Sequence, residues 1–357
     1  MKLLSIPKKI IKALKVSQSK PLWQILYEFM FFKITRPKTA EQYFSKYLFR
    51  KNIKDSSDFV LTHKIIKRCW DSNDRNYKSI LFNKQFSELF FSQRDVPFLK
   101  SMAWSQNSLF FKKNQLIQIN TPKQLHDFLL TLKNEELWQG DSLIIKKKDD
   151  SWGGKGIFKL FYRELQGDNK KVRYIFDQVI QSGFLYQNNL VQHVDLQKIN
   201  PHSVNTVRID TFTNRNGVTQ VLNAFLRTGS DDGFLDNISK GGLFVGMDKD
   251  TGVLFREAFT DFDEGTGRVF TNHPLTDTAF EDFVIPFYTE ARQLVIKAAQ
   301  CLPQVRLIAW DVAILSEGPI IIEGNFWPGL HFSEIAQKGF RNQPVFEELM
   351  HEIDLQK

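Results

Sequence analysis

Two short runs near the end of the chain place oxygen donors where apolar residues would be expected. Asp311 interrupts the run Leu307 to Leu315, and Glu323-Gly324-Asn325 follows directly on Ile320-Ile321-Ile322. Ser316-Glu317-Gly318 lies between them and reads as a turn, so the two runs form a β-hairpin. A three-residue loop with Gly318 in the left-handed position pairs Leu315 with Pro319, sets Asp311 opposite Glu323 and leaves Asn325 on the same face. A two-residue loop would send Glu323 to the other face. The longer loop is preferred because it explains a carboxylate directly after three isoleucines. Two carboxylates and an amide side by side repel one another or stay unsatisfied unless a cation lies between them. Mg²⁺ suits such a set, since it takes a few carboxylate oxygens and completes its octahedron with waters and nucleotide phosphates. The blander reading is a set of unrelated polar residues at strand ends.

A second hairpin is read over Asn205 to Thr228, where Asn216-Gly217 is a strong two-residue turn signal. With those residues at the tip, Arg215 faces Val218, Arg208 faces Phe225 and Thr206 faces Arg227. One face then carries Val207, Ile209, Leu222, Ala224 and Leu226; the other carries Arg208, Asp210, Asn223 and Arg227 around Phe225. Two arginines on one polar sheet face suit a bidentate grip on phosphate or carboxylate. A solvent-facing side of an antiparallel sheet would look the same.

The third feature is a compact strand, Leu143 to Lys146, leading through Lys147 to Asp150 into Ser151-Trp152-Gly153-Gly154-Lys155-Gly156-Ile157. Glycines let backbone N–H groups approach phosphate oxygens, and lysines neutralise their charge. This is neither the mononucleotide loop ending in Gly-Lys-Ser/Thr nor the dinucleotide fingerprint, and taken alone it reads as a hairpin turn.

A strand lysine, a Gly-Gly-Lys-Gly loop, an arginine-bearing hairpin and a late Asp…Glu-x-Asn hairpin, in that order, resemble the ATP-grasp superfamily. Asn205-Thr206-Val207-Arg208, Asp236-Asn237 leading to Gly241-Gly242, Trp310-Asp311 and Glu323-Gly324-Asn325 look like the sugar-transfer-associated ATP-grasp family, found alongside polysaccharide biosynthesis. The resemblance covers roughly residues 80 to 350. It implies an α+β fold in which two α+β subdomains clamp the nucleotide, preceded here by a helical basic region. It further implies that Lys146 holds phosphates, that Gly153, Gly154, Lys155 and Gly156 form a mobile flap, and that Leu190-Val191-Gln192-His193 contacts adenine through its backbone. Arg208 and Arg227 would act on the transferring phosphoryl group, with Asp311, Glu323 and Asn325 on Mg²⁺. Many ATP-grasp ligases carry an arginine two residues before the metal aspartate; here that position is Ala309, and Arg208 would supply the charge instead. The implied activity is Mg-ATP-dependent joining of a small-molecule carboxylate to an amine through an acyl phosphate, in modification of a polysaccharide or its sugar precursor. The alternatives are a catalytically silent nucleotide-binding scaffold of a glycan-assembly complex and an ATP-dependent kinase.

These sites need elements to position them. Apolar residues at helical spacing make Pro21 to Tyr47 and Thr62 to Trp70 helical, and Pro122 to Leu132 a helix capped by Thr121, with Leu125, Phe128, Leu129 and Leu132 as its buried stripe. Glycine-punctuated strands dominate after Ser142. The reading divides the chain into a basic helical region, 1–75; a subdomain preceding the nucleotide fold, 76–140; a flap subdomain, 141–200; and a larger metal-bearing subdomain, 201–357.

With 357 residues, 42% of them hydrophobic, the chain can bury a substantial core. Two cysteines, Cys69 and Cys301, without paired spacing give no disulfide framework and no thiolate metal site, so a reducing cytoplasmic compartment is expected. No run suits a signal peptide or a membrane span. The formal charge of +8 is concentrated before about residue 75 in Lys8, Lys9, Lys12, Lys15, Lys20, Arg50, Lys51 and Lys54. Mixed with apolar residues, this arm reads as a solvated helical face or as a peripheral contact with the inner face of a membrane. Nucleic acid is not an expected partner, since no reading module follows it. His202, His273 and His331 lack metal-ligand spacing and read as structural. No Gly-x-Ser-x-Gly elbow supports a hydrolase.

Overall fold

The computed structural model describes residues 5–53, 55–149, 156–167 and 170–355. They form two compact units: one takes the chain up to Arg75, Gln192–Pro319 and the residues from Asn325 on, and the other takes Asn76–Val191 with Ile320–Gly324.

The first unit begins with helices α1 (Ile6–Leu14), α2 (Leu22–Thr35), α3 (Gln42–Ser45) and α4 (His63–Trp70). The helix read from Pro21 to Tyr47 breaks after Thr35, because Pro37 disfavours helical geometry at Arg36, which adopts φ −137°, ψ 56°. Thr62 caps α4 by accepting from the Ile65 N–H. Much of the expected basic arm is consumed inside the unit. Buried Lys9 pairs with Glu41 at 3.0 Å and Asp263 at 2.9 Å, Lys12 donates to the carbonyls of Phe262 and Gly265, Lys20 pairs with Glu28, and Arg50 holds Glu257 through two nitrogens. Charge runs read from sequence default to solvent, but here acids distant in the chain reach in to neutralise them.

In the second unit, β1 (Ser101–Gln106), β2 (Leu109–Lys112), β3 (Gln115–Gln118), β4 (Ser142–Lys147), β5 (Ile157–Phe161) and β6 (Gly183–Asn188) form a sheet of order β3-β2-β1-β6-β4-β5. The paired strands are antiparallel. Helices α5 (Lys78–Phe82), α6 (Lys84–Ser92), α7 (Pro122–Asn134) and α8 (Lys170–Val179) accompany it. Thr121 and Gln124 close a capping box on α7, and Leu125, Phe128, Leu129 and Leu132 are buried as the spacing predicts. They join Leu143, Ile145, Val172, Ile175 and Phe184 in one core.

The first unit resumes with α9 (Val194–Ile199), then β7 (Thr206–Thr213), β8 (Thr219–Thr228), β9 (Leu243–Met247), β10 (Leu254–Phe259), β11 (Val269–Phe270), α10 (Tyr288–Gln300), β12 (Leu307–Leu315), the ends of β13 (Gly318–Asn325), whose Ile320–Gly324 count with the second unit, α11 (Leu330–Ala336) and α12 (Pro344–Asp354). The sheet order is β11-β10-β9-β8-β7-β12-β13. Arg208 pairs with Phe225 and Thr206 with Arg227, as read from sequence, but the tip differs. Thr213 pairs with Thr219 and the Asn214 N–H meets the Val218 carbonyl, so Arg215, Asn216 and Gly217 form the loop and Arg215 does not face Val218. A β-bulge at Asp210/Thr211, where pairing steps from Asn223 to Val221 past Leu222, absorbs the extra residue and restores the register below it.

One buried ion pair ties the helical N-terminal region to α11. Lys46 and Glu334 meet at 2.6 Å with side chains 2% and 0% exposed, and Glu334 also accepts from the Leu61 N–H. Removing one partner strands the other's charge. Lys46→Met should therefore lower unfolding free energy by about 3–5 kcal/mol, and Lys46→Met with Glu334→Leu should recover much of it, as read by urea denaturation.

Candidate functional site

In the first unit the site is built where β8, β7 and β12 lie side by side. Arg208 and Asp311 are directly paired across β7 and β12. The Arg208 guanidinium grips the Asp311 carboxylate with Nε on Oδ1 and Nη2 on Oδ2, the latter at 3.1 Å. Arg227, on β8, reaches the same carboxylate with Nη1 on Oδ2 at 3.0 Å, and its Nη2 donates to Asp236 at 3.2 Å. Asp236 in turn accepts from the Thr206 hydroxyl, Thr206 being the cross-strand partner of Arg227. The result is a chain of two guanidiniums and two carboxylates, with Asp311 only 5% exposed and both arginines at about 15% or less. Sequence reasoning brought Arg208 and Arg227 to one face; it did not place Asp311 against them, and it gave Asp236 no role although it stood in a motif already noted.

The same face holds Asp210, fully buried. Its Oδ2 accepts from Asn223 and Ser333, each at 2.6 Å, while Oδ1 has no hydrogen-bond partner among the described residues. Burial pushes its pKa up, against the attraction of Arg208.

Asn325 donates from Nδ2 to the Ala309 carbonyl at 3.3 Å, which sets it beside Ala309 and engages its nitrogen, leaving the amide oxygen as the end suited to a cation. The hairpin loop differs from the three-residue one read from sequence: β12 ends at Leu315 and β13 begins at Gly318, so Ser316 and Glu317 alone form the turn and Gly318, with φ +126°, is the first residue of the strand. Asp311 and Asn325 thus offer hard oxygen donors of the kind Mg²⁺ takes, and the arginines stand in as counter-charge. Among the described residues no group of three or more His, Cys, Asp or Glu side chains has metal-binding geometry.

Gln192 is a buried organiser: its Nε2 donates to the carbonyls of Asn200 and Ser203, and its Oε1 accepts from the Asn205 backbone and side chain. This fixes the turn that enters β7. The His193 N–H is taken up by the Ile314 carbonyl at 2.8 Å. His273 is satisfied structurally, with Nε2 on the Gly229 carbonyl at 2.7 Å and Nδ1 accepting from the Leu275 N–H.

In the second unit, Lys146 is buried on β4 opposite Leu185 and Ile157. It lies near Glu88, whose pKa burial raises against the pull of Lys146. Glu323 pairs with Lys84 at 3.4 Å; Lys84 lies far from it in sequence and carried no signal of its own. Gly156, with φ +75°, joins the end of the glycine segment to Lys147 through a backbone hydrogen bond. Gly153, Gly154 and Lys155 lie outside the described residues.

An antiparallel sheet bearing a strand lysine before a glycine segment, and another bearing an arginine-bracketed aspartate, define a protein of the ATP-grasp class. Residues 139–346, more than half the chain, match the family described as sugar-transfer associated ATP-grasp, and the chain belongs to that family. Similar solved structures include the ADP complex of N5-carboxyaminoimidazole ribonucleotide synthetase, at 11% identity and TM-score 0.42 over 82% of this chain and 57% of that one. D-alanyl-alanine synthetase A from Vibrio cholerae aligns at 12% identity and TM-score 0.44 over 77% and 66%, and biotin carboxylase from Campylobacter jejuni at 8% and 0.44 over 76% and 46%. The chain therefore spans between about half and two thirds of these proteins. No curated protein sequence matches it.

Asp210 supplies a stability test. Its folded-state pKa lies above the ordinary aspartate value, so its contribution to stability is full below that ordinary value and is lost as pH rises through the raised one. Asp210→Asn should raise stability at neutral pH by roughly 1 kcal/mol and flatten the decline between mildly acidic and neutral pH, as read by denaturant titrations across that range.

Proposed function

We propose that this chain is a Mg-ATP-dependent ligase that joins a small-molecule carboxylate to an amine. The observation that carries the reading is the pair of arginines converging from adjacent strands on Asp311. Two fixed guanidiniums, already dehydrated and aimed at an anionic group, are prepared to receive a phosphoryl group at little reorganisation cost. Their present partner is a carboxylate; the incoming one would be the γ-phosphate and the acyl phosphate that follows it.

In the proposed reaction an oxygen of the substrate carboxylate attacks the γ-phosphorus and ADP leaves. The amine then attacks the carbonyl carbon of the acyl phosphate, inorganic phosphate leaves, and the amine gives up a proton. Arg208 and Arg227 stabilise the charge on the transferring group, and Lys146 neutralises the nucleotide phosphates. Asp311 and Asn325, with Glu323 on the same strand as Asn325, are the residues that would hold Mg²⁺. The ion would supply charge neutralisation at the phosphates. Gly153, Gly154, Lys155 and Gly156 are assigned to phosphate contact, and the backbone at Gln192 and His193 to the adenine side. The family description supports a substrate in the assembly or modification of a sugar polymer.

Incubation with Mg-ATP and panels of amino acids and uronic acids, followed by mass spectrometry, tests the reaction. Phosphate release that depends on both acid and amine is expected; a stable phosphorylated sugar, or no turnover with any pair, would overturn the ligase reading. For the residues, Arg208→Ala or Arg227→Ala should lower kcat far more than it raises the KM for ATP, and the double variant should lose less than the product of the single losses. Lys146→Ala should chiefly weaken ATP binding. Single-turnover kinetics and nucleotide titration separate these outcomes.

A further inference from the structure

Helix α2, LWQILYEFMFFKIT, is apolar on both of its faces. Ile25, Phe29 and Phe32 point into the core of the first unit, against Tyr43 and Phe44. On the opposite side Leu22, Trp23, Leu26, Tyr27, Met30, Phe31 and Ile34 form a continuous stripe, with Trp23 70%, Tyr27 69% and Ile34 76% exposed. A helix that is hydrophobic all round belongs in a wholly apolar setting, and this one has such a setting on one side only. Ile11 and Leu14 of α1, which packs against α2, are exposed as well.

The charge around the stripe says what the second setting is. The sole acid of α2, Glu28, is turned away from the stripe and neutralised by Lys20 at 2.8 Å, with the Tyr43 hydroxyl also donating to it. Among the described residues the exposed charges of α1, α2 and their ends are cations, Lys8, Lys15, Lys33 and Arg36, while exposed Glu41, just before α3, is paired with Lys9. Trp and Tyr in the stripe are the side chains that settle where hydrocarbon meets water. An apolar stripe with aromatic residues, no exposed acid and a cationic border complements an anionic lipid surface. At 14 residues the helix is about 21 Å long, too short to cross a hydrocarbon core of about 30 Å, and no helix among the described residues is long and apolar enough to do so. We infer that α2 lies parallel to an anionic bilayer with its outer stripe in the headgroup and upper acyl region, holding the protein on the membrane surface.

Flotation of the full chain with vesicles of phosphatidylcholine, and with vesicles enriched in phosphatidylglycerol, tests this. The wild-type chain should float with the anionic vesicles and much less with the neutral ones. Phe31→Glu with Ile34→Glu, both at exposed positions, should cut that binding by more than about tenfold with an unchanged melting temperature. Trp23→Ala with Tyr27→Ala provides a second disruption without added charge, and Lys15→Glu with Lys33→Glu should erase the preference for anionic lipid. No flotation, or equal flotation with both vesicle types, would overturn the proposal. So would a wild-type dimer in sedimentation velocity that Phe31→Glu with Ile34→Glu dissociates, since the stripe would then be covered by a second copy.

Discussion

A carboxylate that is 5% exposed cannot stay ionised in an apolar sheet without counter-charge, and Asp311 obtains it from two arginines at once. That requirement organises the middle of the first unit's sheet. β7 must lie beside β12 for Arg208 to face Asp311, and β8 must flank β7 for Arg227 to reach across. Arg227 then needs Asp236, and Asp236 takes the Thr206 hydroxyl. Charge balances within the group, two positive against two negative. In the proposed reaction a divalent cation and a polyphosphate would enter together, so that carboxylates and guanidiniums exchange each other for new partners of opposite charge.

The parts of this arrangement that were legible in the sequence are those governed by short-range rules. Strand alternation put Arg208 and Arg227 on one face, and the assumed tip at Asn216-Gly217 gave their observed pairing with Phe225 and Thr206 because the bulge at Asp210/Thr211 offsets the one-residue error at the tip. The α7 cap and stripe were equally readable. The hairpin tip was misjudged because Asn216-Gly217 signals a turn without saying whether a bulge follows. The partners of Asp311, Glu323 and Lys9 were invisible for a different reason: each is an ion pair set by topology, between residues far apart in the chain, and pattern alone does not encode which charges meet.

The N-terminal helices illustrate the same limit. Their lysines read as an appended arm, yet Lys9, Lys12, Lys20, Lys46 and Arg50 are woven into the first unit by acids and carbonyls from elsewhere in it or from the same region. Tyr47, too, donates its hydroxyl to the Thr260 carbonyl. These residues are thus part of the unit's interior, and the cations left at the surface are a selected subset rather than the whole run.

The bulge at Asp210/Thr211 separates two halves of the β7–β8 hairpin that would otherwise share one register. Below it the pairing holds Arg208 and Arg227 in place; above it the tip, with Asn214 and Arg215 bonded to Glu348 and Glu352 of α12, follows its own spacing. The bulge works as an expansion joint. The one-residue offset of the tip is taken up at the bulge and does not reach the arginines, so the tip keeps its own anchorage to α12 while the charges of the site hold their places.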